Sequence, residues 1–226
     1  MHEVKTLTDR DLRMKILEIL SREYSHARTE LNYSNPFELL VSTILSAQST
    51  DRQVNKITRS LFKKYSGPED FARLTPEQLA EEIRGCGLYR NKSRHIIAAS
   101  RALLEKHGGV VPSTREDLEA LPGVGRKTAS VVLSNAFGQE ALAVDTHVHR
   151  VSNRLGLAQS TDVRVTEEQL CALIPRDQWS QAHHWLIYHG RRVCKARKPL
   201  CHVCKLAEYC RWRKNHSGGG EGKKDE

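Results

Sequence analysis

Apolar residues recur at helical spacing along most of the chain, and almost nowhere at the two-residue spacing of a strand. Over residues 9–24, Leu12, Ile16, Ile19, Leu20 and Tyr24 fall on one face. Pro36 suits a first helical position, and Phe37, Leu40, Val41, Ile44 and Leu45 follow it. Asp51 is placed to cap the next helix, with Val54, Ile57, Leu61, Phe62 and Tyr65 inward and Gly67-Pro68 as its stop. Thr75-Pro76-Glu77-Gln78 has the form of a capping box, and its short helix ends at Gly85-Cys86-Gly87. A longer helix is predicted from Asn91 to His107, burying Ile96, Ala99, Leu103 and Leu104 and ending at Gly108-Gly109. Ser113-Thr114-Arg115-Glu116 opens a short helix to Ala120, and another covers Thr128 to Ala136. Further helices run from Asp145 to about Leu155, from a box at Thr166-Glu167-Glu168-Gln169 to just before Pro175, and from Trp179 to His189. Val110-Val111-Pro112 is extended but too short to build a sheet. The predicted fold class is all-α.

Between two of these helices lies Leu121-Pro122-Gly123-Val124-Gly125-Arg126-Lys127-Thr128-Ala129. The two glycines permit a tight turn that a Cβ would resist. The result is a helix, a hairpin and a helix whose first turn follows Gly125. Free N–H groups and the helix dipole make that turn a site for one phosphate. Gly123, Gly125 and Arg126 are the candidate phosphate contacts, and Lys127 sits in the same turn. Further on comes Val144-Asp145-Thr146-His147, a carboxylate at another helix start.

Charge points the same way. The 226 residues hold 36 Lys plus Arg against 27 Asp plus Glu, a net charge of +9 that favours a polyanionic partner. The N-terminus has charges throughout and lacks the apolar core of a signal peptide, and no apolar run approaches a membrane span. The tail after Ser217-Gly218-Gly219-Gly220 has flexible-linker composition and is expected to be disordered.

Four of the six cysteines are crowded into seventeen residues as Cys194, Cys201, Cys204 and Cys210, spaced C-x6-C-x2-C-x5-C. Such a set suits a metal centre, which would fold a segment too poor in apolar residues to pack by itself. The spacing leaves zinc and an iron–sulfur cluster both open. Lys195, Arg197 and Lys198 lie on the arc between the first two cysteines, placed to neutralise DNA phosphates. Cys86 and Cys171 read as ordinary small residues, Cys171 buried.

Lys127 and Asp145 form a candidate reactive pair. At a reference pKa of about 10.4, about one lysine in 2,500 is neutral at pH 7. A helix N-terminus, nearby cations and desolvation all disfavour the charged form, and Asp145 could instead accept the proton. A neutral Lys127 could attack a sugar carbon, expel a base and leave a Schiff base at C1′, which acidifies the C2′ proton and permits β-elimination. The bland alternatives are a lysine that only contacts phosphate and an aspartate that only caps a helix.

Together these motifs resemble the endonuclease III family, the bifunctional DNA glycosylases of the helix-hairpin-helix superfamily. The likeness covers roughly residues 10 to 214 and includes Glu30-Leu31-Asn32-Tyr33, Pro36-Phe37-Glu38-Leu39-Leu40, Leu45-Ser46-Ala47-Gln48, Gly87-Leu88-Tyr89 and His183-His184-Trp185-Leu186. It implies removal of oxidised pyrimidines from duplex DNA, with strand cleavage at the abasic site. Lys127 would be the Schiff-base nucleophile and Asp145 the essential carboxylate, with His147 as a tuning residue. The four cysteines would hold a 4Fe–4S cluster, and hairpin carbonyls a monovalent cation. Gln48 and Leu88 would fill the stack vacated by a flipped nucleotide. The implied domains are a six-helix domain at 29–139 and a cluster domain made of 1–28 and 140–213, followed by a disordered tail at 214–226. The expected partner is double-stranded DNA containing damaged bases or abasic sites, met by a monomer in a prokaryotic cytoplasm, at the nucleoid. A mismatch-specific glycosylase on the same fold and a non-catalytic DNA-binding module are the alternatives.

Overall fold

A computed structural model describes residues 8–216. Its α-helices are α1 (Asp9–Glu23), α2 (Pro36–Ser46), α3 (Asp51–Lys64), α4 (Pro68–Arg73), α5 (Pro76–Glu82), α6 (Tyr89–His107), α7 (Arg115–Glu119), α8 (Arg126–Phe137), α9 (Thr146–Leu155), α10 (Val163–Leu173), α11 (Trp179–Arg192) and α12 (Arg211–His216). Short 3-10 turns lie at Arg176–Gln178 and Cys201–Val203. There is no strand among the described residues, so the all-α class holds. No helix among them is long and apolar enough to cross a membrane.

The chain divides into two compact units. The continuous unit is Thr29–Ala143, and the discontinuous unit joins Met1–Arg28 to Val144–Glu226. At the centre of the first is α2, whose residues Phe37 and Leu39 to Leu45 are all buried. A helix apolar on every side belongs inside a core. Around it pack α3, α6 and α8, while α4 and α5 lie on α6. Phe71 of α4 is fully buried and meets Phe37 edge-on, with ring centroids 5.3 Å apart.

The discontinuous unit is built on α9 and α11. Helix α1 packs on α11, and α10 and α12 pack on α9. Helix α1 buries Ile16, Leu17 and Leu20 and starts with a complete capping box between Thr8 and Asp11.

Several helix starts differ from those expected. Thr50, not Asp51, caps α3, because its hydroxyl accepts the Gln53 N–H; Asp51 sits in the first turn, where a carboxylate offsets the helix dipole. Thr114 rather than Ser113 caps α7. The box proposed at Thr166 is the interior of α10, which starts three residues earlier under Asp162; Thr166 bonds back to Asp162 O at 2.9 Å instead. Gly67-Pro68 ends α3 but also begins α4, since proline is well suited to a first turn. Helix α6 starts at Tyr89, ahead of the expected Asn91. Cys171 is half-buried rather than buried. Helix α12 continues through Lys214 to His216, three residues into the expected tail; the rest of that tail, 217–226, lies outside the described residues.

Candidate active site and cysteine centre

The hairpin is held from below. Leu118, Leu121 and Val124 are buried in the core of the continuous unit, and Val124 N–H bonds Leu121 O at 3.1 Å. Arg115 on α7 reaches Ser130 Oγ on α8 at 3.1 Å, tying the two arms together. Gly123 has φ of +77°, and a Cβ there would stand 2.5 Å from His95 Cβ, so only glycine fits. Gly125 differs: a Cβ there would meet nothing within 4 Å. Its backbone borders open space and it offers α8 no side-chain cap, which leaves the helix start accessible to a ligand oxygen.

Lys127 stands in that first turn with an exposed side chain. Burial in the protein therefore does not supply the desolvation invoked from sequence.

Asp145 belongs to the discontinuous unit, where it caps α9. Its Oδ1 accepts the N–H groups of His147 and Val148, both at 2.8 Å. Both cap bonds use one carboxylate oxygen, Oδ1. His147 is half-buried, and burial pushes its pKa down, partly opposed by Asp145 and reinforced by Arg150 and Arg191. Its Nδ1 lies 3.2 Å from Arg150 Nη2, which also donates to Gly190 O and Cys194 O at 3.0 Å each.

The four cysteines line one small cavity with Leu155, Val193, Leu200 and Trp212. The four thiols ring this shared space. Burial, aided by the neighbouring thiols, pushes Cys204 and Cys210 up, so the thiolates need a positive centre to hold them. A polynuclear metal–sulfur group fits this arrangement.

Two residues that the sequence reading did not single out lie beside the cysteines. His189 Nε2 lies 3.8 Å from Cys204 Sγ, and its Nδ1 lies 3.0 Å from Tyr24 Oη; burial lowers its pKa to about 4. Arg154 donates to Lys195 O and Ala196 O at 2.8 and 3.1 Å and lies 3.5 Å from Cys194 Sγ. It thereby pins the backbone of the basic arc, on which Lys195, Arg197 and Lys198 are all exposed. The (i, i+4) spacing of Arg150 and Arg154 on α9 was the available clue to a shared face.

Gln48 and Leu88 are brought together within the continuous unit. Both have left-handed backbones, with φ of +53° and +58°, and Leu88 is 53% exposed. Gly87 N–H bonds Ser49 Oγ at 3.1 Å, and a Cβ on Gly87 would lie 2.8 Å from Gln48 O. An exposed leucine at a strained turn is not the core leucine its apolar side chain would suggest.

The hairpin and its surroundings define a class. Residues 41–176 match the sequence model of the HhH-GPD superfamily of base excision DNA repair proteins. Residues 194–210 match the iron–sulfur binding domain of endonuclease III. The endonuclease III of Bacillus subtilis (strain 168) is 49% identical over 196 residues, spanning 86% of this chain and 90% of that protein. That of Escherichia coli (strain K12) is 47% identical over 201 residues, spanning 89% and 95%. A solved trapped covalent endonuclease III–DNA intermediate superposes with a TM-score of 0.90 at 45% identity, covering 93% of this chain and 99% of that one. The chain belongs to the endonuclease III family. With that, the choice left open by cysteine spacing falls to iron–sulfur, a 4Fe–4S cluster.

Proposed function

We propose that this chain excises oxidised pyrimidines from duplex DNA and then cuts the strand at the resulting abasic site. The observation that carries this reading is Lys127 in the first turn after Gly125, on a hairpin open to a phosphate. Gly123, Gly125 and Arg126 hold that phosphate, which sets the distance from Lys127 Nζ to the sugar. Lys127 attacks C1′ and the base departs with the glycosidic electron pair. Opening of the sugar ring gives a Schiff base on Nζ. Loss of the C2′ proton then expels the 3′ phosphate by β-elimination. Asp145 is the essential carboxylate in this reading, with His147 tuning it from the same helix turn. A monovalent cation bound by hairpin carbonyls would firm the turn.

Cys194, Cys201, Cys204 and Cys210 are the cluster ligands in this reading. The bound cluster supplies structure by charge and cross-linking, organising the arc on which Lys195, Arg197 and Lys198 meet the DNA backbone. Duplex DNA hides the glycosidic carbon, so the target nucleotide must leave the stack, and Gln48 and Leu88 fill the gap. The protein acts as a monomer in a prokaryotic cytoplasm, at the nucleoid.

A cleavage assay across duplexes carrying an oxidised pyrimidine, a mismatch or a preformed abasic site tests this directly. Cleavage of the first and third substrates is expected; activity confined to the mismatch would assign the chain to another specificity. The basic arc has its own test. Arg197→Ala should reduce the slope of log affinity against log salt by about one, because one phosphate contact is lost. Since Arg154 holds the arc by its backbone carbonyls, the substitution leaves the loop in place, and an unchanged slope would return Arg197 to the solvated surface.

A further inference from the structure

Lys92 is a fully used lysine with no part in the chemistry so far. It lies on α6, one helical turn after Leu88, to whose carbonyl its own N–H bonds at 3.0 Å. It is only 4% exposed. A charge so deeply placed needs a partner for every hydrogen. Its Nζ donates to Leu45 O at 2.7 Å, to Ala47 O at 2.5 Å and to Ser49 Oγ at 3.2 Å. The two carbonyls can only accept, so Nζ is the donor in both bonds; burial pulls its pKa down.

These acceptors have a common location. Helix α2 ends at Ser46, so Leu45 O and Ala47 O belong to the helix terminus whose carbonyls lack an intrahelical donor. A cation there also offsets the negative end of the helix dipole. Gln48 lies between two of the three contacted residues, held at φ of +53°. For a non-glycine residue that conformation is disfavoured by the Cβ, so something must hold it. Ser49 Oγ completes the connection, because it accepts from both Lys92 and Gly87 N–H. One ammonium thus ties the end of α2 to the start of α6, directly beneath the two exposed side chains.

We propose that Lys92 is a positioning residue for base extrusion: it fixes the spacing at which Gln48 and Leu88 enter the gap left by a flipped nucleotide. The proposal rests on the gap-filling role given to those two residues above. Without the ammonium, the α2 terminus can relax, Gln48 is released from its left-handed conformation, and the pair no longer presents a fixed wedge.

The wedge matters most when a paired, stacked base must be displaced, and little when no base is present. Two duplexes therefore separate the effects: one with an oxidised pyrimidine paired to a purine, the other with a preformed abasic site. Lys92→Met keeps most of the side-chain length and removes the Nζ donors. It should lower kcat for excision of the paired lesion by about tenfold or more, while borohydride trapping on the abasic duplex stays within about twofold of wild type. Ser49→Ala, which removes the shared oxygen, should show the same split more weakly, and it remains informative if Lys92→Met folds poorly. An equal loss on both duplexes with both variants would make Lys92 a general structural residue, and no loss on either would remove any role; both overturn the proposal. A wild-type protein inert on both duplexes would instead overturn the reaction assignment itself.

Discussion

Lys127→Ala protein incubated with abasic-site DNA and borohydride should form no covalent adduct, a loss of about a thousandfold or more against wild type. The size follows from the proposed chemistry, because the Schiff base forms on Nζ itself and no neighbouring atom can replace it. The structure makes this substitution unusually clean. Lys127 is exposed and contributes nothing to the core, and surface changes of this kind alter stability by only about 0.5 kcal/mol or less. The hairpin turn is set by Gly123, Leu121 and Val124, none of which needs the lysine. Binding to abasic DNA should therefore persist while trapping disappears. Trapping at the wild-type rate would move the nucleophile to another amine and reduce Lys127 to a phosphate contact.

Replacing Asp145 by asparagine should lower base excision by about a hundredfold or more, with DNA affinity and melting temperature close to wild type. Asparagine caps helices as well as aspartate does, so α9 keeps its first turn. Only the charge is removed. Asp145→Ala provides the contrast, since it loses the two bonds to His147 and Val148 and should cost about 1 kcal/mol of stability as well as activity. If excision by the asparagine variant matched wild type, Asp145 would be a helix cap and nothing more. If excision fell only in the alanine variant, the loss would belong to stability and not to chemistry.

What could be read in the sequence follows the range over which each signal acts. The hairpin was legible because its glycines, its buried Leu121 and Val124, and Lys127 lie within a few residues of one another. Asp145 was legible both as a cap and as a carboxylate, and it is structurally the cap it could have been. Helix starts were readable only to within one to four residues where several polar residues compete. Thr50 caps α3 in place of Asp51, and Asp162 caps α10 in place of Thr166, because the cap is the residue whose side-chain oxygen meets the free N–H groups of the first turn. The cysteine spacing announced a centre, but the surrounding bonds from His189 and Arg154 arise from helices packed far apart in sequence. The same holds for Gln48 and Leu88. Nothing local in either segment says that a buried lysine and a shared serine will hold them side by side. Exposure of Lys127 was likewise invisible, since burial is a property of the assembled fold.

The divided construction of the cluster-bearing unit has a consequence in time. Helix α1 leaves the ribosome first, yet its packing partner α11 is among the last segments made. So are His189, which pairs with Tyr24, and Lys205, which pairs with Glu23. At roughly 5–20 residues per second, synthesis from Glu23 to Trp179 takes about eight to thirty seconds. Throughout that wait the apolar stripe of Ile16, Leu17 and Leu20 has no home, while the continuous unit can already fold. The helix carries its own means of waiting: a capping box and exposed ion pairs from Arg13 to Asp9, Lys15 to Glu18 and Arg22 to Glu18. The nascent chain must therefore keep its first helix in reserve until nearly its last has been translated.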